Sequence, residues 1–206
     1  MFFLSYAHGN QQFLESGYEA DRYVLELYKE LSGNVAELVG RLPGWSPGFM
    51  DRSMDGSQRW TPELLRAAAT CQVFVPLISP SLLTSRWCAM EWDLFSRRRI
   101  DSGDGRTETA ILPVAWAPTD FASLPRVVRE VQFFSPLPLP DLDYAAQYQQ
   151  EGVVGLHKLS LHTTYRAVVW RLAQRIVAIS RAHRVEPLDD LPEPAELRDV
   201  FREEGA

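Results

Sequence analysis

A tryptophan and a glutamate stand four residues apart in Trp87-Cys88-Ala89-Met90-Glu91-Trp92. The stretch reads as the opening of a helix, shortly after the apolar run Val73-Phe74-Val75-Pro76-Leu77-Ile78. Positions i and i+4 share a helix face. Trp87 and Glu91 can therefore line one wall of a pocket at the C-terminal edge of a strand. A carboxylate flanked by Trp87, Met90 and Trp92 is out of the ordinary, because such groups are enclosed by apolar side chains only when paired or used. The plainer alternative is a surface glutamate at a helix start, where the dipole favours negative charge. One geometric fact separates them. A functional Glu91 faces a cleft with Trp87 and Tyr6 near it, whereas a structural one is tied to a surface arginine.

The elements that must position these residues follow from hydrophobic spacing. Residues 2–6 are a short apolar run suited to a strand buried on both faces. Residues 7–20 read as a loop. Asp21 reads as the cap of a helix to about Val39, with Val24, Leu27, Leu31, Val35 and Leu38 at three- and four-residue steps and Gly40 at its C-cap. Residues 48–51 suggest a short strand leading into a polar loop. Thr61 and Pro62 open a second helix, residues 73–78 form the strongest strand, and Ser85 caps a helix from about Arg86 to Arg99. Residues 110–116 and 131–134 add two strands. Pro136, Pro138 and Pro140 hold an extended segment. Residues 163–182 form a long amphipathic helix with Val168, Val169, Leu172, Ile176 and Ile179 inward. Strands alternating with helices predict an α/β domain, with right-handed crossovers and a parallel sheet covered on both faces. Ligands of such sheets bind outside the C-terminal strand ends, here segments 6–10, 51–60 and 79–91.

The chain has 206 residues, 46% of them hydrophobic, which suits one domain with a real core. No apolar run approaches the roughly 20 residues of a membrane span, and the first residues lack the features of a signal peptide. The two cysteines, Cys71 and Cys88, have no metal-type spacing, which points to a reducing, cytoplasmic setting. The net charge of −6 is unevenly placed: residues 186–206 hold eight acidic and two basic side chains, and the rest is neutral. A neutral body argues against a nucleic-acid partner. The expected organisation is a domain over 1–183 and an acidic, mobile tail over 184–206, in which 195–204 can form a short helix.

Several familiar motifs fail on inspection. Gly44-Trp45-Ser46-Pro47-Gly48 has the spacing of a nucleophile elbow. However, the elbow needs the N–H after its serine, and Pro47 has none. Neither a dinucleotide-binding glycine fingerprint nor a P-loop is present. His8, His157, His162 and His183 show no metal-ligand spacing.

The order of the remaining pieces resembles the Toll/interleukin-1 receptor (TIR) domain. Phe2-Phe3-Leu4-Ser5-Tyr6-Ala7-His8 looks like that family's opening F-[IL]-S-Y strand. Gly48-Phe49-Met50-Asp51-Arg52 leads into what would be its BB loop, and Ser85-Arg86-Trp87-Cys88-Ala89-Met90-Glu91 looks like its S-x-W-C-x-x-E motif. The likeness covers roughly residues 1–180, and the chain is also similar to the stand-alone bacterial TIR-like proteins called FxsC. It implies a flavodoxin-like three-layer sandwich with a central parallel sheet of about five strands. The long linker before the second strand, the Pro136–Pro140 segment and the acidic tail are additions to a minimal TIR domain.

The resemblance also implies a chemistry. Many bacterial TIR domains cleave NAD+ at the nicotinamide–ribose bond, in signalling or antiphage defence, and the glutamate of the third motif, here Glu91, is their catalytic residue. NAD+ is then a substrate, and no cofactor or metal is needed. Nicotinamide leaves as a neutral base from a cationic ring, so no general acid is required. The demand is to stabilise an oxocarbenium-like ribosyl centre, which a nearby carboxylate meets by charge and hydrogen bonding. By their positions around such a site, Trp87 would pack on ribose or nicotinamide, Tyr6 and Ala7, at the end of the first strand, would border the nicotinamide, and Asp51 and Arg52 would belong to a mobile loop over the pocket. A local ion pair is the plainer reading of those last two. A second class stays open: many TIR domains are non-catalytic modules that self-associate or bind a partner protein. Catalytic members often complete their site only on oligomerising.

Overall fold

The computed structural model describes residues 1–8, 14–40, 44–51, 61–101, 109–139 and 141–202, with 14–20 as backbone alone. Strands β1 (Phe2–Ser5), β2 (Gly48–Met50), β3 (Val73–Ile78) and β5 (Val114–Ala115) form a parallel sheet in the order β2-β1-β3-β5. β1 is central, pairing Phe2 with Gly48 on one side and with Val73 on the other. A separate antiparallel pair joins β4 (Ile100–Asp101) to β6 (Arg184–Val185). Among the described residues the central sheet thus has four strands and not five. The expected fifth, 131–134, stays extended and bonds the sheet region through the Phe134 N–H to Pro113 O. It follows the short helix α5 (Arg126–Arg129) and precedes Pro136 and Pro138, which have no N–H to donate.

Helices α1 (Leu14–Val39), α6 (Leu142–Lys158) and α7 (His162–Ala182) pack together, as do α2 (Pro62–Thr70), α3 (Pro80–Thr84) and α4 (Arg86–Ser96). The alternation of β1 shows how the sheet divides them. Phe2 meets Tyr28 of α1. Phe3 stacks on Phe74 at 5.8 Å, and Phe74 packs against Trp92 and Phe95 of α4. Ser5 falls on the same face as Phe3, which aims its hydroxyl toward α4. No described helix is long and apolar enough to cross a membrane.

Local signals explain most element ends. The Thr61 hydroxyl accepts from the Leu64 N–H ahead of Pro62, and the Ser85 hydroxyl accepts from the Cys88 N–H. Gly40 ends α1 at φ +84°. α1 begins at Leu14, seven residues before the cap expected at Asp21. Asp21 instead lies inside the helix, with its carboxylate 3.4 Å from His8 Nδ1. α4 stops at Ser96 and not at Arg99, because Arg98 turns inward. Its guanidinium donates to Cys71 O at 2.6 Å, Ala68 O at 3.0 Å and Glu186 O at 3.0 Å.

α6 was not expected. It kinks at Gly152, whose φ of 64° and ψ of 177° lie in a region that essentially only glycine enters. A Cβ there would stand 2.6 Å from Trp116 O. Gly152→Ala is therefore expected to lower stability by about 2 kcal/mol or more, as a fall in the urea midpoint with little change in slope. An unchanged midpoint would show that the kink relaxes freely.

The segment after His183 differs most from expectation. Its described residues, 184–202, pack as a strap across the far side of α4. The Leu188 N–H donates to Ala69 O, and Leu197 and Val200 are buried. Phe201 sets its ring edge-on to Trp92 at 5.8 Å. Asp93, 2% exposed, accepts from Arg97, from the Arg198 side chain and from the Arg198 N–H. Arg97 also donates to Glu196 O. Glu186, Asp189, Asp190, Glu193 and Glu196 are exposed, while the backbone and apolar side chains hold the strap. Asp93→Ala removes the shared acceptor and leaves two arginines that water can solvate, so the expected loss is about 2 kcal/mol. It should appear with faster proteolysis between 186 and 197, and intact resistance would show that the apolar contacts suffice.

Candidate functional site

A cleft opens at the C-terminal ends of β1 and β2, against the first turns of α4. It is lined by Ser5, Tyr6, Ala7 and His8 from the end of β1, by Asp51 after β2, and by Ser85, Trp87, Cys88 and Glu91 from α4 and its cap. Phe3, Leu4 and Leu64 form its apolar floor. Two crossovers bring these pieces to one edge of the sheet, outside the C-terminal strand ends, which is where ligands of such sheets bind.

Glu91 is 7% exposed. Its Oε2 accepts a short hydrogen bond from the Ser5 hydroxyl at 2.5 Å. Among the described residues no guanidinium or ammonium pairs with it, in contrast to Asp93 two positions on. Burial raises the Glu91 carboxyl to about 8, the Ser5 hydrogen bond opposes the rise, and the nearby Asp51 charge adds to it. The free carboxyl is thus mostly protonated at neutral pH and ionises as the pH rises past about 8. It is a buried carboxylate in a cleft, with a hydroxyl as its partner.

The predicted residues come together except where they lie outside the described residues. Trp87 is half-buried at the cleft wall, and its other side packs on the apolar cluster of Ala68, Met90, Leu94 and Leu197. Tyr6 donates its hydroxyl to the Asp51 backbone carbonyl at 3.0 Å, tying the end of β1 to the end of β2. Burial, and the negative charges of Asp21, Asp51 and Glu91, push the Tyr6 hydroxyl far up, so it remains a donor. Ala7 and Asp51 line the cleft. Arg52 lies outside the described residues.

Two expected neighbours are elsewhere. Met90 and Trp92 do not enclose Glu91, because each helical step turns the side chain by about 100°. Met90 faces the strap, and Trp92 faces the core between Phe74 and Phe201. Phe3, Leu4, Leu64 and Cys88 provide the apolar surround instead. The Cys88 thiol is pushed up by burial and by Glu91, which leaves it a neutral filler.

Sequence reasoning missed Ser5 as a cleft residue, and it placed segment 6–10 at the strand ends without assigning His8 a role there. Ser5 had a signal, as the one hydroxyl in an apolar strand whose neighbours are all buried. His8 had none beyond its place just after that strand. Among the described residues no group of three or more His, Cys, Asp and Glu is arranged to hold a metal ion.

No curated protein sequence matches this chain. The family model for the TIR domain matches it over residues 2–150, from β1 into α6, and so takes in every residue of the cleft. With well over half of the chain inside that match, the protein belongs to the TIR domain family.

Proposed function

We propose that this protein cleaves NAD+ at the nicotinamide–ribose bond, with Glu91 as the catalytic carboxylate. TIR membership carries a general role in signalling and in contacts between TIR domains, and NAD+ consumption would be the output of that signal. The observation that carries the reading is the state of Glu91: buried, facing a cleft, and partnered by a hydroxyl. Among the described residues such a carboxyl has no cationic partner, which costs stability, and a pyridinium ring beside a forming ribosyl cation is a partner that would use it. Trp87 gives the ring or ribose a flat apolar wall, and Ala7 leaves space beside it. Tyr6 holds the edge of β2 in place, which positions Asp51 at the mouth.

In the reaction the C1′–N1 bond lengthens and its electron pair returns to the nicotinamide ring, which becomes neutral. The positive charge moves to the ribosyl centre. An ionised Glu91 attracts that charge at short range, where the apolar floor keeps the effective dielectric low. The test is nicotinamide release by the purified protein at high concentration with a crowding agent, which favours any oligomer that completes the site. Release above background supports the reading. Negligible turnover with oligomers confirmed by light scattering assigns the protein to the non-catalytic TIR modules that work by assembly alone.

A further inference from the structure

A cleft that hydrolyses NAD+ gains from a second group, because the water that attacks C1′ loses a proton and a positioned base speeds that transfer. Glu91 is committed to the ribosyl charge, and one of its oxygens is held by Ser5. Another side chain of the same cleft, an imidazole suited to proton transfer near neutral pH, also comes with an orienting partner. His8 lines the cleft, and its Nδ1 stands 3.4 Å from Asp21 Oδ2, with the two side chains 16% and 20% exposed. The Tyr6 ring lies against its other side, at 4.6 Å between centroids. The imidazole is therefore fixed by a carboxylate from α1 and an aromatic ring from the end of β1.

We propose that His8 is the base that takes the proton from the attacking water, with Asp21 setting its tautomer; this rests on the glycohydrolase reading above. A carboxylate at Nδ1 keeps the hydrogen on that nitrogen and leaves the lone pair on Nε2. The step balances. The C1′–N1 bond breaks with its electrons passing to nicotinamide, the water oxygen bonds C1′, and the water proton moves to Nε2. ADP-ribose and neutral nicotinamide leave, and the imidazolium returns its proton to solvent. His8 and Glu91 thus divide the work: one activates the nucleophile, the other stabilises the electrophile.

The division can be read directly, because a pyridine base attacks C1′ with a lone pair and needs no deprotonation. The full-length protein is given NAD+ with and without 3-acetylpyridine, and ADP-ribose and the exchanged dinucleotide are measured together. His8→Gln is expected to lower hydrolysis by roughly a hundredfold, in the range for loss of a general base, while exchange stays within a few-fold of wild type. Asp21→Asn should lower hydrolysis about tenfold and also spare exchange. Retained exchange shows that each variant is folded and binds NAD+. Full hydrolysis by His8→Gln, or a parallel loss of both reactions, overturns the role of His8 while leaving the glycohydrolase standing. If the wild type forms neither product, the glycohydrolase reading fails and this one fails with it.

Discussion

Glu91→Gln is expected to cut nicotinamide release by roughly 10² to 10³, the usual cost of losing one preorganised charge-stabilising group. The amide is nearly the same shape and still offers an oxygen to the Ser5 hydroxyl, so the change removes charge and little else. The loss should fall on kcat and kcat/KM alike, because the interaction strengthens as the ribosyl centre becomes cationic. The pH profile gives the second half of the test. With the free carboxyl raised to about 8, kcat/KM of the wild type should climb about tenfold per pH unit below that value and level off above it. The Gln variant should show a flat residual rate. A wild-type profile that is already level at pH 5 would mean that Glu91 is not the ionising group, whatever the variant does.

The same substitution should stabilise the protein, and the sign can be worked out. An unfolded glutamate titrates near 4.3, and the folded one at about 8. Below about pH 4 both states hold the proton, so Glu91 costs nothing. Between those values the unfolded chain releases the proton and the folded chain keeps it. Stability therefore falls as pH rises, by about 1.4 kcal/mol per unit, and the decline ends above the folded value. Glutamine carries no such liability. At pH 7 the variant should be more stable by about 4 kcal/mol, and near pH 4 the two proteins should unfold together. Urea midpoints at four or five pH values decide it. Parallel curves for the two proteins would mean that the carboxylate is better solvated than its burial implies. A gain in stability beside a loss of turnover is the trade-off expected of a catalytic residue.

How much of this was legible beforehand depends on where the information lay. β1 and β3 were readable because both are apolar runs apart from Ser5, and α2 and α4 because Thr61, Pro62 and Ser85 announce their first turns. The pairing of Trp87 with Glu91 followed from helical spacing alone. The proposed enclosure by Met90 and Trp92 failed for the same reason, since adjacent residues on a helix point away from one another. α6 escaped notice because its polar, glutamine-rich sequence bends at Gly152, a conformation visible only against Trp116. The Ser5 contact to Glu91 joins positions 86 apart and depends on β1 lying beside β3. The acidic segment was misread because charge density was weighed above its apolar residues. Leu188, Leu197, Val200 and Phe201 anchor it, and the carbonyls of Glu186 and Glu196 that receive arginine donors leave no trace in composition.

The strap changes what kind of support Glu91 has. From Cys88 to Phe95 every residue of α4 is buried, because the sheet covers one side of the helix and the strap covers the other. A helix clamped on both sides cannot tilt or slide to follow a charge that appears in the cleft. Dipoles and carboxylates that do not need to reorient when charge develops act at their full strength. If the cleft carries the proposed reaction, the reorganisation that water would have to undergo around a ribosyl cation is made in advance when the chain folds, and part of it by residues that never touch the cleft.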